Sequence, residues 1–138
     1  MIAFPKSAVV RELPRREIIE RRLPFGYWCE FLEPMPVRSH IAGDFDIPQG
    51  FLSNGASVPN ALYWIIDDTH PDILYPAYGH DALYAVRGWI AGRRLTRQQC
   101  DAAMREMMLS IGSPLWKAEG VYYALRAGGA AAWNSKPI

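Results

Sequence analysis

Residues 96–112 read TRQQCDAAMREMMLSIG, and they are the most fully signed element of the chain. Thr96 and Gln99 form a T-x-x-Q capping box. No helix breaker follows from Arg97 to Ile111, and Gly112 stands at the C-terminal stop. A helix is therefore predicted there. Met104, Met107, Met108 and Leu109 fall at helical spacing and are expected in the core. Ser113-Pro114 should open another helix, with Ser113 as N-cap and Pro114 at its first position, running to about Ala127 before Gly128-Gly129. On the other side, a helix is predicted from about Ile73 or Pro76 to Arg87, stopped by Gly88. A shorter one, Asn60 to Ile66, is capped by Asn60 and ended by Asp67-Asp68-Thr69 and His70-Pro71.

Before Pro59 the character changes. Prolines recur at 5, 14, 24, 34, 36, 48 and 59, which leaves room for no long helix. Residues 16–22 (REIIERR) fit a strand or a short helix equally. Tyr27 to Leu32 is rich in strand formers, and Asp44 to Ser53 suggests a twisted hairpin around Pro48-Gln49-Gly50. Arg11, Arg15, Arg16, Arg21 and Arg22 alternate with Glu12, Glu17 and Glu20, as on a solvated or interface face. The expected class is α+β: one domain over 1–138, with an irregular β-containing part (1–59) packed on a C-terminal bundle of three to four helices (60–138).

Composition excludes several function classes. The 138 residues are 50% hydrophobic and 21% charged, enough for a core and unlike a disordered chain. With 15 Lys and Arg against 14 Asp and Glu, the formal charge of +1 argues against a protein devoted to coating nucleic acid. No apolar run approaches the ~20 residues of a transmembrane segment, and the start of the chain lacks a signal peptide's pattern. Cys29 and Cys100 are too few for a disulfide framework and are expected reduced. Five Trp and seven Tyr exceed the needs of one small core, so some should cover a partner or line a groove.

Chemistry concentrates in Gly79-His80-Asp81-Ala82-Leu83-Tyr84. His80 and Asp81 point about 100° apart on a helix and cannot pair with each other, whereas His80 and Tyr84 share a face. A carboxylate serving His80 must come from elsewhere, and Asp101 is the candidate. An imidazole held by a carboxylate on one nitrogen can deprotonate water with the other. Asp81, facing away, could hold a cation that polarises a carbonyl. The bland alternative is that His80-Asp81 and Asp101 are first-turn residues favoured by helix dipoles. A tight hairpin between Gly88 and Thr96 would set His80 opposite Met107, leaving Asp101 about 9 Å off along the axis. His40 and His70 offer no ligand spacing, and Ser57 sits in what reads as a tight turn.

Three ordered motifs resemble a family of uncharacterised phage and bacterial proteins, domain of unknown function 1353. They are Ile47-Pro48-Gln49-Gly50-Phe51-Leu52-Ser53-Asn54-Gly55-Ala56-Ser57-Val58-Pro59, His80-Asp81-Ala82-Leu83-Tyr84, and the R-x-x-x-D stretch from Arg97 to Asp101. A second resemblance joins His80, Asp81, Tyr84 and Asp101 to the active site of secreted phospholipase A2. It implies His80 as base, Asp101 as its orienter, Tyr84 as a supporting hydrogen-bond donor and Asp81 as a calcium ligand. Asn54 stands where the first family usually has Asp, so any Ca2+ site is expected to be weak.

Two functions are expected from these likenesses. One is a phage- or prophage-encoded hydrolase acting on a lipid or other acyl ester, associated with the virion or host envelope. The other is a virion structural or assembly component of tail or head, using the fold as a scaffold for other phage structural proteins. Either would be made in the host cytoplasm.

Overall fold

The computed structural model describes residues 10–23, 28–53 and 71–134, with the backbone alone for 71–74. The predicted helix at Asn60–Ile66 and the Ser57 turn lie outside these residues. In chain order the elements are β1 (Val10–Glu12), α1 (Arg15–Glu20), β2 (Cys29–Phe31), β3 (Met35–Val37), β4 (Phe45–Ile47), β5 (Leu52–Ser53), α2 (Pro71–Ala85), β6 (Trp89–Ile90), β7 (Arg93–Arg94), α3 (Arg97–Ser110), α4 (Leu115–Gly128) and α5 (Ala130–Asn134). Small antiparallel strands occupy the N-terminal half and helices dominate the C-terminal part. Among the described residues, no helix is long and apolar enough to cross a membrane.

Strands pair in three small sheets, ordered β1-β2-β5, β3-β4 and β6-β7. The expected hairpin of Asp44–Ser53 is corrected here. A turn does close at Pro48–Phe51, where Phe51 N donates to Pro48 O at 3.2 Å. Its two arms then part: Phe45–Ile47 pairs with Met35–Val37, and Leu52–Ser53 pairs with Cys29–Glu30. Burial explains the parting. Ile47 and Ser53 are each sealed in the interior, and each needs a partner strand already lining the core. Residues 16–20 resolve as part of the short helix α1, with Arg21 and Arg22 in the turn after it; Arg11 of β1 pairs with Glu17 of α1 and with Glu30 of β2, and Arg16 with Glu20.

The α3 helix is the centre of the molecule. Its capping box is formed as predicted, with Gln99 N donating to Thr96 Oγ1 and Thr96 N to Gln99 Oε1. Cys100, Ala103 and Met107 join β2, β3, β4 and α2 in one apolar cluster. Met104 and Met108 join Ala77, Ala118, Val121 and Leu125 of α2 and α4 in a second. Two adjacent faces of one helix, offset by one residue of the 3.6 period, thus serve two cores. Ser113 is not the N-cap residue of α4. Pro114 takes the N-cap position with ψ 147° and no side-chain hydrogen bond, so the helix proper starts at Leu115.

Between α2 and α3 the chain makes a two-residue hairpin, Trp89 opposite Arg94 and Ile90 opposite Arg93. Its tip, Ala91 and Gly92, has φ of 48° and 80°, the doubly positive pattern of a type I′ turn. Gly88 precedes it at φ 81°, where a Cβ would fall 2.1 Å from Leu95 O, so no other residue fits.

Candidate functional site

His80 lies in the middle of α2 and Asp101 one turn inside α3, whose first turn holds no acid. Neither sits where a helix dipole would account for it, which corrects that alternative. The two meet, with His80 Nε2 2.8 Å from Asp101 Oδ1 and both side chains fully buried. The Met107 side chain does lie beside this part of α2, since a Cβ on Gly79 would be 3.1 Å from Met107 Sδ. A long helical side chain leans toward the N-terminus of its own helix, so Met107 marks a level nearer Ala103 than its own Cα. That removes much of the offset that had separated His80 from Asp101.

Tyr84 joins the pair from the same face of α2, its hydroxyl donating to Asp101 Oδ1 at 2.5 Å. Its ring lies 4.1 Å from that of His80 between centroids and meets Trp133 of α5 edge-on at 5.2 Å. The other carboxylate oxygen faces cations. Arg126 Nη1 of α4 donates to Oδ2 at 2.9 Å, and Arg97 Nη1, one turn upstream on α3, lies 3.7 Å away. Arg97 also donates to the carbonyls of Leu125 and Arg126, closing the end of α4 onto α3.

Asp101 is therefore shared by three helices. Burial alone would push its carboxyl up, but hydrogen bonds from His80 and Tyr84, the His80 charge and Arg126 together hold it below the usual carboxylate range. The Tyr84 phenol is pushed well up, first by burial and then by its bond to Asp101. Whenever His80 is neutral, its Nε2–H donates to the ionised Asp101. The lone pair then rests on Nδ1. Among the described residues that buried nitrogen has no hydrogen-bond partner.

Asp81 turns elsewhere, as its angular position on the helix requires. Ser53 Oγ of β5 donates to its Oδ2 at 2.6 Å. Cys29 Sγ approaches Ser53 O at 3.5 Å and Tyr78 Oη at 3.7 Å beside it. Among the described residues no three His, Cys, Asp or Glu side chains gather to hold a metal ion. Of the four residues singled out by sequence, the structure unites His80, Tyr84 and Asp101 and sets Asp81 apart. Arg126 had no local signal, because it arrives from a third helix. Gly129 was also missed: a Cβ there would lie 2.8 Å from the Tyr84 hydroxyl and 3.0 Å from Arg97 Nη1.

Residues 29–125 match a family model described as a protein of unknown function (DUF1353). No curated protein matches the chain, and no solved structure does. The fold therefore lends no support to the likeness to secreted phospholipase A2, which rests on the side chains alone.

Proposed function

The chain belongs to the DUF1353 family, and we propose that His80 is the general base of a hydrolytic site acting on acyl esters. One observation carries this reading: Nε2 is fixed by an ionised carboxylate while Nδ1, buried, has no partner among the described residues. An unsatisfied buried nitrogen costs about 1–3 kcal/mol, and a role in binding water or substrate gives that cost a reason.

In the reaction, Nδ1 takes a proton from water and the hydroxide oxygen bonds to the ester carbonyl carbon. The resulting imidazolium is stabilised by Asp101 through Nε2–H. When the C–O bond of the ester breaks, the proton on Nδ1 passes to the departing alkoxide and the acid is released. Tyr84 and Arg126 keep the carboxylate in place. Because His80 is fully buried, turnover requires its cover to open. A phage- or prophage-encoded protein working on the host envelope suits this chemistry.

The same burial favours a second reading, a virion structural or assembly component in which Asp101 is a knot between helices. Hydrolysis of short-chain and phospholipid esters by wild type, His80→Gln and Asp101→Asn separates the two. The hydrolase reading expects wild-type turnover lost by at least about a hundredfold in His80→Gln. Turnover that survives His80→Gln, or none in wild type, leaves the structural reading.

A further inference from the structure

Glu106 closes a loop onto α3. Its carboxylate accepts from Ser39 Oγ at 2.6 Å, His40 N at 3.1 Å and Ile41 N at 3.4 Å. Ile41 is thereby held as one wall of a groove of about 650 Å³, which it lines together with Ala102 and Leu109 of α3 and Tyr122 and Tyr123 of α4. Small-ligand sites occupy roughly 300–1,000 Å³. The groove shares no lining residue with the His80 network.

Its lining is aromatic and carries both signs of charge. The Tyr122 and Tyr123 rings stand edge to face, 5.3 Å between centroids and 73° between planes. Tyr122 Oη accepts from Gln98 Nε2 at 3.4 Å, which ties that ring to α3, while Tyr123 is 66% exposed. Arg105 Nη2 of α3 donates to Glu119 Oε1 of α4 at 3.4 Å, and both line the groove. Among the described residues no other hydrogen bond engages either group. Several guanidinium N–H donors and a second carboxylate oxygen therefore stand side by side, next to aromatic rings.

These groups select by exclusion. A phosphate-bearing ligand would meet a single guanidinium against the carboxylates of Glu106 and Glu119. An ammonium ligand would compete with Arg105 for Glu119, because the Glu106 carboxylate is already held by the loop. A proline-rich helix brings carbonyl acceptors but no N–H at its prolines, which leaves the second oxygen of Glu119 unmatched. A hydrocarbon chain would desolvate the ion pair and return nothing. A neutral sugar matches every group: each hydroxyl both donates and accepts, and the C–H face of a pyranose packs on a tyrosine ring.

We propose that this groove binds a neutral oligosaccharide, one sugar ring packing on Tyr123 and its hydroxyls bonding to Arg105 and Glu119. The proposal goes beyond the reading of His80 and does not depend on it, since binding is measured without turnover.

The test is titration of the full chain with cellotriose, maltotriose, mannotriose and triacetylchitotriose, followed by saturation-transfer NMR and calorimetry. At least one is expected to bind saturably with a Kd of about 1 mM or tighter, with little change on adding salt. Tyr123→Ala should weaken that binding by about tenfold, and Arg105→Gln by about tenfold as well. Trp116→Ala, at a residue 64% exposed on the same helix but outside the groove, should bind as wild type. Should either groove variant fold poorly, wild-type amide shifts provide the second measurement: residues 102–110 and 119–123 should move on titration, and those of α2 should not. Absence of saturable binding by all of these sugars, equal binding by folded Tyr123→Ala or Arg105→Gln, or shifts centred elsewhere overturns the proposal. So does tighter binding of inorganic pyrophosphate or of a decaproline peptide.

Discussion

Tyr84 and His80 deliver their hydrogen-bonding atoms to the same oxygen, Oδ1 of Asp101, from successive turns of α2. One carboxylate thus fixes both an imidazole and a phenol, and it needs Arg126 on its other oxygen to remain charged in a dry interior. Asp101→Asn keeps the shape but removes that charge, leaving Arg126 without its partner. Unfolding by urea should show a loss of about 3 kcal/mol. A change below about 0.5 kcal/mol would mean the network does not hold the helices.

The same network sets the acid limb of stability. A carboxyl whose folded pKa lies below its unfolded value contributes stability that is fully present above the unfolded pKa of about 3.9, and lost as pH falls through the folded one. Asp101 is such a group. Glu17, lowered by its hydrogen bond from Arg11, adds a parallel slope. Melting temperature should therefore fall below about pH 4 in wild type and fall less steeply in Asp101→Asn. Parallel curves would refute this assignment.

Gly129 and Tyr84 should be energetically coupled. Gly129 is the C-cap of α4, and a Cβ there would sit 2.6 Å from Leu125 O and 2.8 Å from the Tyr84 hydroxyl. Gly129→Ala is expected to destabilise. Tyr84→Phe alone should cost about 1–2 kcal/mol, with the ring's contacts kept. The double variant should be less destabilised than the two effects added, because removing the hydroxyl relieves part of the clash. Strict additivity in a double-mutant cycle would separate the two sites.

Ala91 occupies a left-handed position, φ 48°, in the type I′ turn before Gly92. Asn tolerates that region better than any other residue with a Cβ. Ala91→Asn should raise stability by about 0.5–1 kcal/mol, read from the urea midpoint at unchanged slope. A fall would mean that the turn relaxes out of that conformation.

Local signals were the legible ones. The Thr96/Gln99 box, the helical spacing of Met104, Met107 and Met108, and the shared face of His80 and Tyr84 each depend on neighbours within one or two turns. They appear as expected. The meeting of His80 with Asp101 was suggested by motif order, while helix-level arithmetic opposed it by neglecting the lean of side chains. What failed was pairing at a distance: the arms of the Pro48 turn join different sheets, and Arg126 comes from a helix no spacing connects to Asp101. Glu106 is similar. It accepts from Ser39 Oγ, His40 N and Ile41 N of the β3–β4 loop, a role no helical pattern announces.

Cys100 immediately precedes Asp101, fully buried, its thiol pushed up to about 12 mainly by desolvation and then by the neighbouring carboxylate. Alkylating reagents need an exposed thiolate, so in the closed protein this sulfur is chemically silent. It becomes a built-in clock for the opening that the hydrolase reading requires. If α2 and α3 part to admit substrate, Cys100 will be labelled at the rate of that parting, far faster than global unfolding. If the route to Nδ1 runs elsewhere, the thiol will stay silent until the whole chain unfolds, and the path of entry will have been read from a residue that takes no part in the chemistry.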